Sequence, residues 1–167
     1  LINIGINGFG RIGRNVYRAA LASKGLGKDF EIVAVNDIAP IDSLAYMLKY
    51  DSVYGKLDRD VKIDGTGIRA GDARFEVTQV KDPGEIPWKK YGAEVVIEST
   101  GLFTEKEKAA KHLSAGARKV LISAPGKQVD VTLVLGVNMD MYDRAKHNVI
   151  SMASCTTGSL APPAKVI

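Results

Sequence analysis

The sequence predicts an α/β fold with a mostly parallel sheet, and three observations predict it. Short β-branched runs alternate with stretches of helical spacing along most of the 167 residues. A glycine-rich loop lies between the first run and the first helical stretch. One segment, Lys56 to Val80, breaks the alternation with turn signals at Asp64-Gly65, Gly67 and Ala70-Gly71-Asp72. Such punctuation predicts short antiparallel hairpins, an excursion from the parallel sheet.

Taken in order, Leu1 to Asn7 reads as a strand. Arg11 to Ser23 places Ile12, Val16, Ala19 and Ala20 at helical spacing, with Gly25 and Gly27 ending the helix. Glu31 to Asn36 is a second strand, and Pro40 to Tyr50 a helix with Ile41, Leu44, Ala45 and Leu48 along one side. After the hairpins, Glu94 to Glu98 is a strand, Glu105 to Ala115 a helix and Lys119 to Ser123 a strand. Val131 to Gly136 and Asn148 to Met152 are further strands, and a last helix starts near Cys155. No repeat or linker divides the chain.

Composition narrows the function classes. A hydrophobic fraction of 46% and a charged fraction of 25% describe a globular chain with a real core. The net charge of +4 raises the weight of anionic partners, yet the Lys and Arg residues form no long run, so a solvated basic surface suffices and nucleic acid is not an expected partner. No apolar run reaches membrane-spanning length, and no leader pattern opens the chain. A single cysteine excludes an internal disulfide and fits a reducing compartment, so a cytoplasmic location is expected. No metal-ligand cluster is evident.

Gly8-Phe9-Gly10-Arg11-Ile12-Gly13 follows the first strand at once and opens a helix, as a Rossmann-type dinucleotide-binding loop must. Gly8 permits the tight turn, Gly10 admits the pyrophosphate to the backbone, and Gly13 lets helix and strand pack closely. The helix start supplies unpaired N–H groups and a partial positive charge. Asp37, closing the second strand, can accept from the adenosine ribose hydroxyls and would repel a 2′-phosphate, which favours NAD over NADP.

Ser154-Cys155-Thr156-Thr157 lies between a predicted strand and a predicted helix. A thiol at a helix N-terminus feels the positive end of the dipole, which favours the thiolate, and the flanking hydroxyls can bind phosphate or cap the helix. A lone cysteine is also commonly a small buried hydrophobe, so both readings stand at this point. Trp88 reads as packing at a domain edge, Glu105 to Lys108 as a solvated helix start, and Lys127 to Asp130 as a loop.

Six motifs together resemble the amino-terminal half of the phosphorylating glyceraldehyde-3-phosphate dehydrogenase family, bacterial or plastid type. They are Asn7 to Arg14, Val35-Asn36-Asp37, Lys49 to Gly55, Glu98 to Gly101, Ile122 to Pro125 and Ala153 to Thr157. The resemblance implies an NAD-binding Rossmann domain over 1–154, and over 155–167 the start of a cysteine-bearing helix leading into a catalytic domain. It implies that Arg11 and Ile12 lie against the pyrophosphate, with Asn7, Gly8, Gly10 and Gly13 also among the cofactor-binding residues, that Asp37 meets the ribose, and that Lys81 sits near the adenine. Thr100, Gly101 and Ser123 would line the path to the nicotinamide. Cys155 would attack the aldehyde, hydride would pass to NAD, and phosphate held by Ser154 and Thr156, with Thr157 beside them, would cleave the thioester. A homotetramer is implied as well.

Departures from the family pattern matter. Met152 and Gly158 replace asparagines, Ser159 a second cysteine and Pro163 a valine. Gly158 should weaken the helix start by up to roughly 1 kcal/mol, and the doubled proline can kink the helix beyond its first turn. The family's base histidine lies further along than Ile167, while His112 and His147 match no catalytic position and read as surface or packing residues. The expectation is a chain that holds the cofactor and does not complete the reaction alone. The same motifs fit an erythrose-4-phosphate dehydrogenase half, and a different class, a non-catalytic module binding nucleotide or RNA in the same cleft, is the alternative.

Overall fold

A computed structural model describes residues 1–167. The chain opens with β1 (Ile2–Asn7), α1 (Arg11–Ala22), β2 (Phe30–Asn36) and α2 (Ile41–Lys49). A small hairpin, β3 (Tyr50–Asp51) and β4 (Gly55–Lys56), precedes β5 (Val61–Asp64), β6 (Gly67–Ala70) and β7 (Ala73–Thr78). Then come α3 (Trp88–Tyr91), β8 (Val95–Glu98), α4 (Lys106–Ala109), α5 (Lys111–Ser114) and β9 (Lys119–Ile122). The chain closes with β10 (Val131–Thr132), β11 (Val149–Ser151) and α6 (Cys155–Val166).

Nine strands form one sheet in the order β10-β11-β9-β8-β1-β2-β7-β6-β5. All neighbours from β10 to β7 are parallel, and only β7-β6 and β6-β5 are antiparallel. The antiparallel excursion therefore extends the main sheet through β7. From β1 the chain winds outward to β2 and β7, then crosses back to place β8 on the other side of β1. That reversal leaves a crevice at the carboxyl ends of β1 and β8, where ligands settle in doubly wound sheets.

Both faces of the sheet are covered, as parallel strands require. On one face, Tyr17 and Leu21 of α1 and Leu44 and Leu48 of α2 pack with Ile6, Phe9, Ile32 and Phe75. On the other, Trp88 packs with Ala34, Ile86 and Val96. A further cluster joins Ala109 to Val120, Ile122 and Val149.

Four expectations need correction. Trp88 is fully buried rather than at an edge, because Gly5 has no Cβ to occupy the space its indole fills; a Cβ there would lie 2.6 Å from the ring. The helix expected over Glu105 to Ala115 is two short helices meeting at Ala110, an arrangement that turns both Ala109 and His112 inward. α1 ends at Ala22 with Ser23 as its cap, ahead of the two glycines. Strands at Val131 and Val149 are also shorter than their apolar runs. α6 continues through Pro162 and Pro163 and buries no residue. No helix is long and apolar enough to cross a membrane.

Candidate functional site

The crevice at the strand reversal has a volume of about 440 Å³. Its walls come from the ends of four parallel strands: Gly8 and Gly10 after β1, Asp37 after β2, Lys81 beyond β7, and Thr100 after β8. Six residues singled out in the sequence (Asn7 is the sixth) thus meet in one cleft.

The glycine loop has the geometry its spacing implies. Gly8 adopts φ +89°, and a Cβ there would crowd the Thr100 backbone at 2.7 Å. A Cβ on Gly13 would lie 2.1 Å from the Gly8 carbonyl oxygen, so α1 can approach β1 only with glycine at this place. At Gly10 an added Cβ would point into open space, the side from which a ligand approaches. No side chain caps α1, and the amides of Arg11, Ile12 and Gly13 hydrogen-bond nothing in the chain. Those free donors at the positive end of a 12-residue helix suit a pyrophosphate.

Asp37 is held rigidly: Oδ2 accepts from the Phe9 amide at 2.6 Å and Oδ1 from the Ala39 amide at 2.9 Å. A carboxylate has lone pairs beyond these two bonds, which leaves acceptors for a ribose diol and a charge opposed to a 2′-phosphate. Lys81 is exposed on the opposite wall. The Arg11 guanidinium turns away from the cleft to Asp51, 3.2 Å distant. The Tyr54 and Val53 amides, with Arg11 beside them, hold the Asp51 carboxyl below its usual range. Any pyrophosphate contact of Arg11 in this arrangement is through its amide.

Behind the cleft lies a polar cluster that sequence reasoning missed. Asn7, Asn36 and Glu98, at the ends of β1, β2 and β8, and His112 of α5 are all buried. Glu98 accepts from Asn7 Nδ2 at 2.6 Å and from the Thr100 amide at 2.8 Å, and lies 2.9 Å from His112 Nε2. The only sequence signal was that Glu98 closes an otherwise apolar strand.

The remaining candidates lie further along the same carboxyl edge. Ser123 follows β9, its amide bonded to the Glu98 carbonyl, and does not line the crevice. Gly101, next to Thr100, has φ +77°. Beyond β11, Ala153 holds a left-handed φ of +60°, a strain of order 1 kcal/mol that commonly marks functional turns. Ser154 then caps α6, its Oγ accepting from the Thr157 amide at 2.9 Å and lying 2.8 Å from the Thr157 hydroxyl. Cys155, the first residue of α6, is exposed, so it is no buried hydrophobe. Thr156 is exposed beside it, and neither histidine hydrogen-bonds the thiol.

From β2 to β11 the sheet order crosses four strand spacings, roughly 19 Å. A ligand that touches both Asp37 and the neighbourhood of Cys155 must be long and two-ended, with its charged middle near the glycine loop. A dinucleotide has that form.

Residues 2–106 match the family described as glyceraldehyde 3-phosphate dehydrogenase, NAD binding domain. The chain belongs to this family. Relatives agree with the assignment. The glyceraldehyde-3-phosphate dehydrogenase of Priestia megaterium is 55% identical over 166 residues, covering 99% of this chain and 48% of the relative. Glyceraldehyde-3-phosphate dehydrogenase 1 of Bacillus subtilis is 54% identical with the same coverage, and the Geobacillus stearothermophilus protein is 53% identical, again over 99% and 48%. The chain spans about half the length of the curated relatives it matches. It is an NAD-binding domain of Rossmann topology within the glyceraldehyde 3-phosphate dehydrogenase family.

Proposed function

We propose that the chain is the cofactor half of a phosphorylating glyceraldehyde-3-phosphate dehydrogenase, binding NAD along the carboxyl edge of its sheet and presenting Cys155 as nucleophile. The observation that carries this is the set of unpaired amides at Arg11, Ile12 and Gly13, facing open space at Gly10 within one strand of Asp37. The amides hold the pyrophosphate, Asp37 the adenosine ribose and Lys81 the adenine side, while Asn7, Thr100, Gly101 and Ser123 guide the other end toward α6.

Cys155 Sγ bonds to the aldehyde carbon, and after oxidation retains the acyl group as a thioester until phosphate displaces it. Bound NAD supplies the hydride acceptor. Ser154 already serves as helix cap, so its role with Thr156 and Thr157 is to set the helix start that receives the phosphate. The division follows at Ser154: residues 1–154 bind cofactor, and 155–167 begin the helix that joins the other half. The base that takes the proton comes from that half. Apolar side chains exposed at Leu102, Leu135 and Leu160 support further contacts with it and with other copies, in a homotetramer.

Calorimetric titration of the chain with NAD and NADP tests the reading. NAD should bind at least tenfold more tightly than NADP, and no NADH should form with glyceraldehyde 3-phosphate until a complementary half is added. Failure to bind either dinucleotide would overturn it.

A further inference from the structure

The polar cluster behind the crevice has a direction. Val80 N–H donates to Asn36 Oδ1 while Asn36 Nδ2 donates to the Val80 carbonyl, so a backbone pair that cannot reverse fixes the Asn36 amide. Asn36 Nδ2 also donates to Asn7 Oδ1 at 2.8 Å, which leaves Asn7 Nδ2 to donate to Glu98 Oε2. On the other side, Trp88 Nε1 can only donate, and it lies 2.9 Å from His112 Nδ1. His112 Nδ1 is therefore the acceptor, and Nε2 carries the hydrogen aimed at Glu98 Oε2. The Thr100 hydroxyl accepts from the Leu102 amide, so its own hydrogen is free for Glu98 Oε1, 2.5 Å away.

All four hydrogen bonds to Glu98 thus come from donors, two on each oxygen, and none needs a proton on the carboxyl. Oε2 faces the interior of the domain. Oε1 faces the cleft and holds Thr100 by both its amide and its hydroxyl. Thr100 is the wall residue against which Gly8 packs.

We propose that Glu98 is a positioning residue of the cofactor site, its buried carboxylate fixing the Thr100 wall in the shape that receives the dinucleotide. The proposal rests on the NAD-binding reading above. Its physical core is that glutamine cannot replace this carboxylate. An amide offers one acceptor oxygen and one NH2, and whichever end faces Thr100, two donors meet on the other side or on that side.

Glu98→Gln should weaken NAD binding by about tenfold or more, as loss of a hydrogen bond to a charged group predicts. Amide hydrogen exchange without cofactor should rise at least tenfold at Thr100 and Leu102. Thr100→Val should weaken NAD similarly, Thr100→Ser should retain affinity, and the Glu98→Gln/Thr100→Val pair should fall short of the summed effects. A core variant of lower stability, Val149→Ala, separates positioning from mere loss of stability, since it should leave exchange at Thr100 unchanged at temperatures well below unfolding. Glu98→Gln with a lowered melting temperature but NAD affinity within twofold of the parent chain and unchanged exchange at Thr100 overturns the proposal. If that variant does not fold, Thr100→Val decides: affinity within twofold of the parent overturns it. If the parent chain itself binds no NAD, the reading of the site falls, and the exchange measurement still tests the role of Glu98.

Discussion

Two helices of equal length, α1 and α6, both start at the carboxyl end of a parallel strand, and they are built differently. α1 has no side-chain cap, leaves three amides free and buries Gly13, Tyr17, Ala20 and Leu21. α6 has Ser154 as its cap, carries two prolines and buries nothing. One helix is anchored by its body and open at its tip. The other has one tip amide, that of Thr157, tied to its Ser154 cap and rests on little else, with Lys165 reaching back to the Gly136 and Val137 carbonyls as its outlying tether. An anion site needs free donors on a rigid support, and of the two helices only α1 combines them. The chemistry proposed at Cys155 waits on contacts that α6 does not make here.

The sharpest way to break this contrast is at the α1–β1 approach. Gly13→Val should cost about 3 kcal/mol or more, because its Cβ would overlap the Gly8 carbonyl and the backbone would have to part. Urea unfolding should show the loss, and NAD binding should vanish with it. A stable variant that still binds would refute the packing argument.

The next effect lies on the β11 side. Burial alone would raise the Asp130 pKa, but Lys106 and the Val149 and Asn148 amides outweigh it and bring it down to about 2. A folded pKa below the unfolded value near 4 means the stabilisation is full above that value and fades as pH falls from about 4 to 2. Asp130→Asn should therefore lower stability by about 2 kcal/mol at pH 7 and by much less near pH 2. Denaturant midpoints at the two pH values check this, and a pH-independent difference would contradict it.

At Asp37 the readout is selectivity. Asp37→Ala should lower the NAD-to-NADP affinity ratio about tenfold, and it strands the buried Phe9 amide at a further cost of about 1–3 kcal/mol. Fluorescence titration with both cofactors measures the ratio; an unchanged ratio would separate Asp37 from the ribose. Smaller still, Ser154→Ala should fray α6 by about 1 kcal/mol of helix stability while global unfolding shifts little. Helical circular dichroism against the unfolding midpoint distinguishes these, and a large midpoint shift would show α6 to be more firmly integrated than its exposure implies.

What was legible in the sequence is what local backbone chemistry encodes. Gly8, Gly10 and Gly13 announce a turn, an open approach and a close packing, and each proves to be where its spacing places it. The Asp64-Gly65 and Gly71 turns likewise announced the antiparallel edge. The buried cluster was not legible. Glu98 meets Asn7 across 91 positions and His112 across 14, and only the strand order brings them together. Trp88 was misplaced for the same reason: its pocket is the missing Cβ of Gly5 on a distant strand. The guanidinium of Arg11 was unreadable too, since its partner Asp51 sits in a two-residue strand without an apolar pattern.

In the proposed reading, the free amides of α1 and the carboxylate of Asp37 together hold NAD on this chain without help from α6. Backbone amide NMR of the chain during NAD titration tests it most directly. The predicted result is saturable shifts at Gly10, Arg11, Ile12, Gly13, Asp37 and Thr100, with the β5–β6 hairpin unmoved. Saturating NAD that leaves those amides unshifted, or moves only residues of α6, would contradict it.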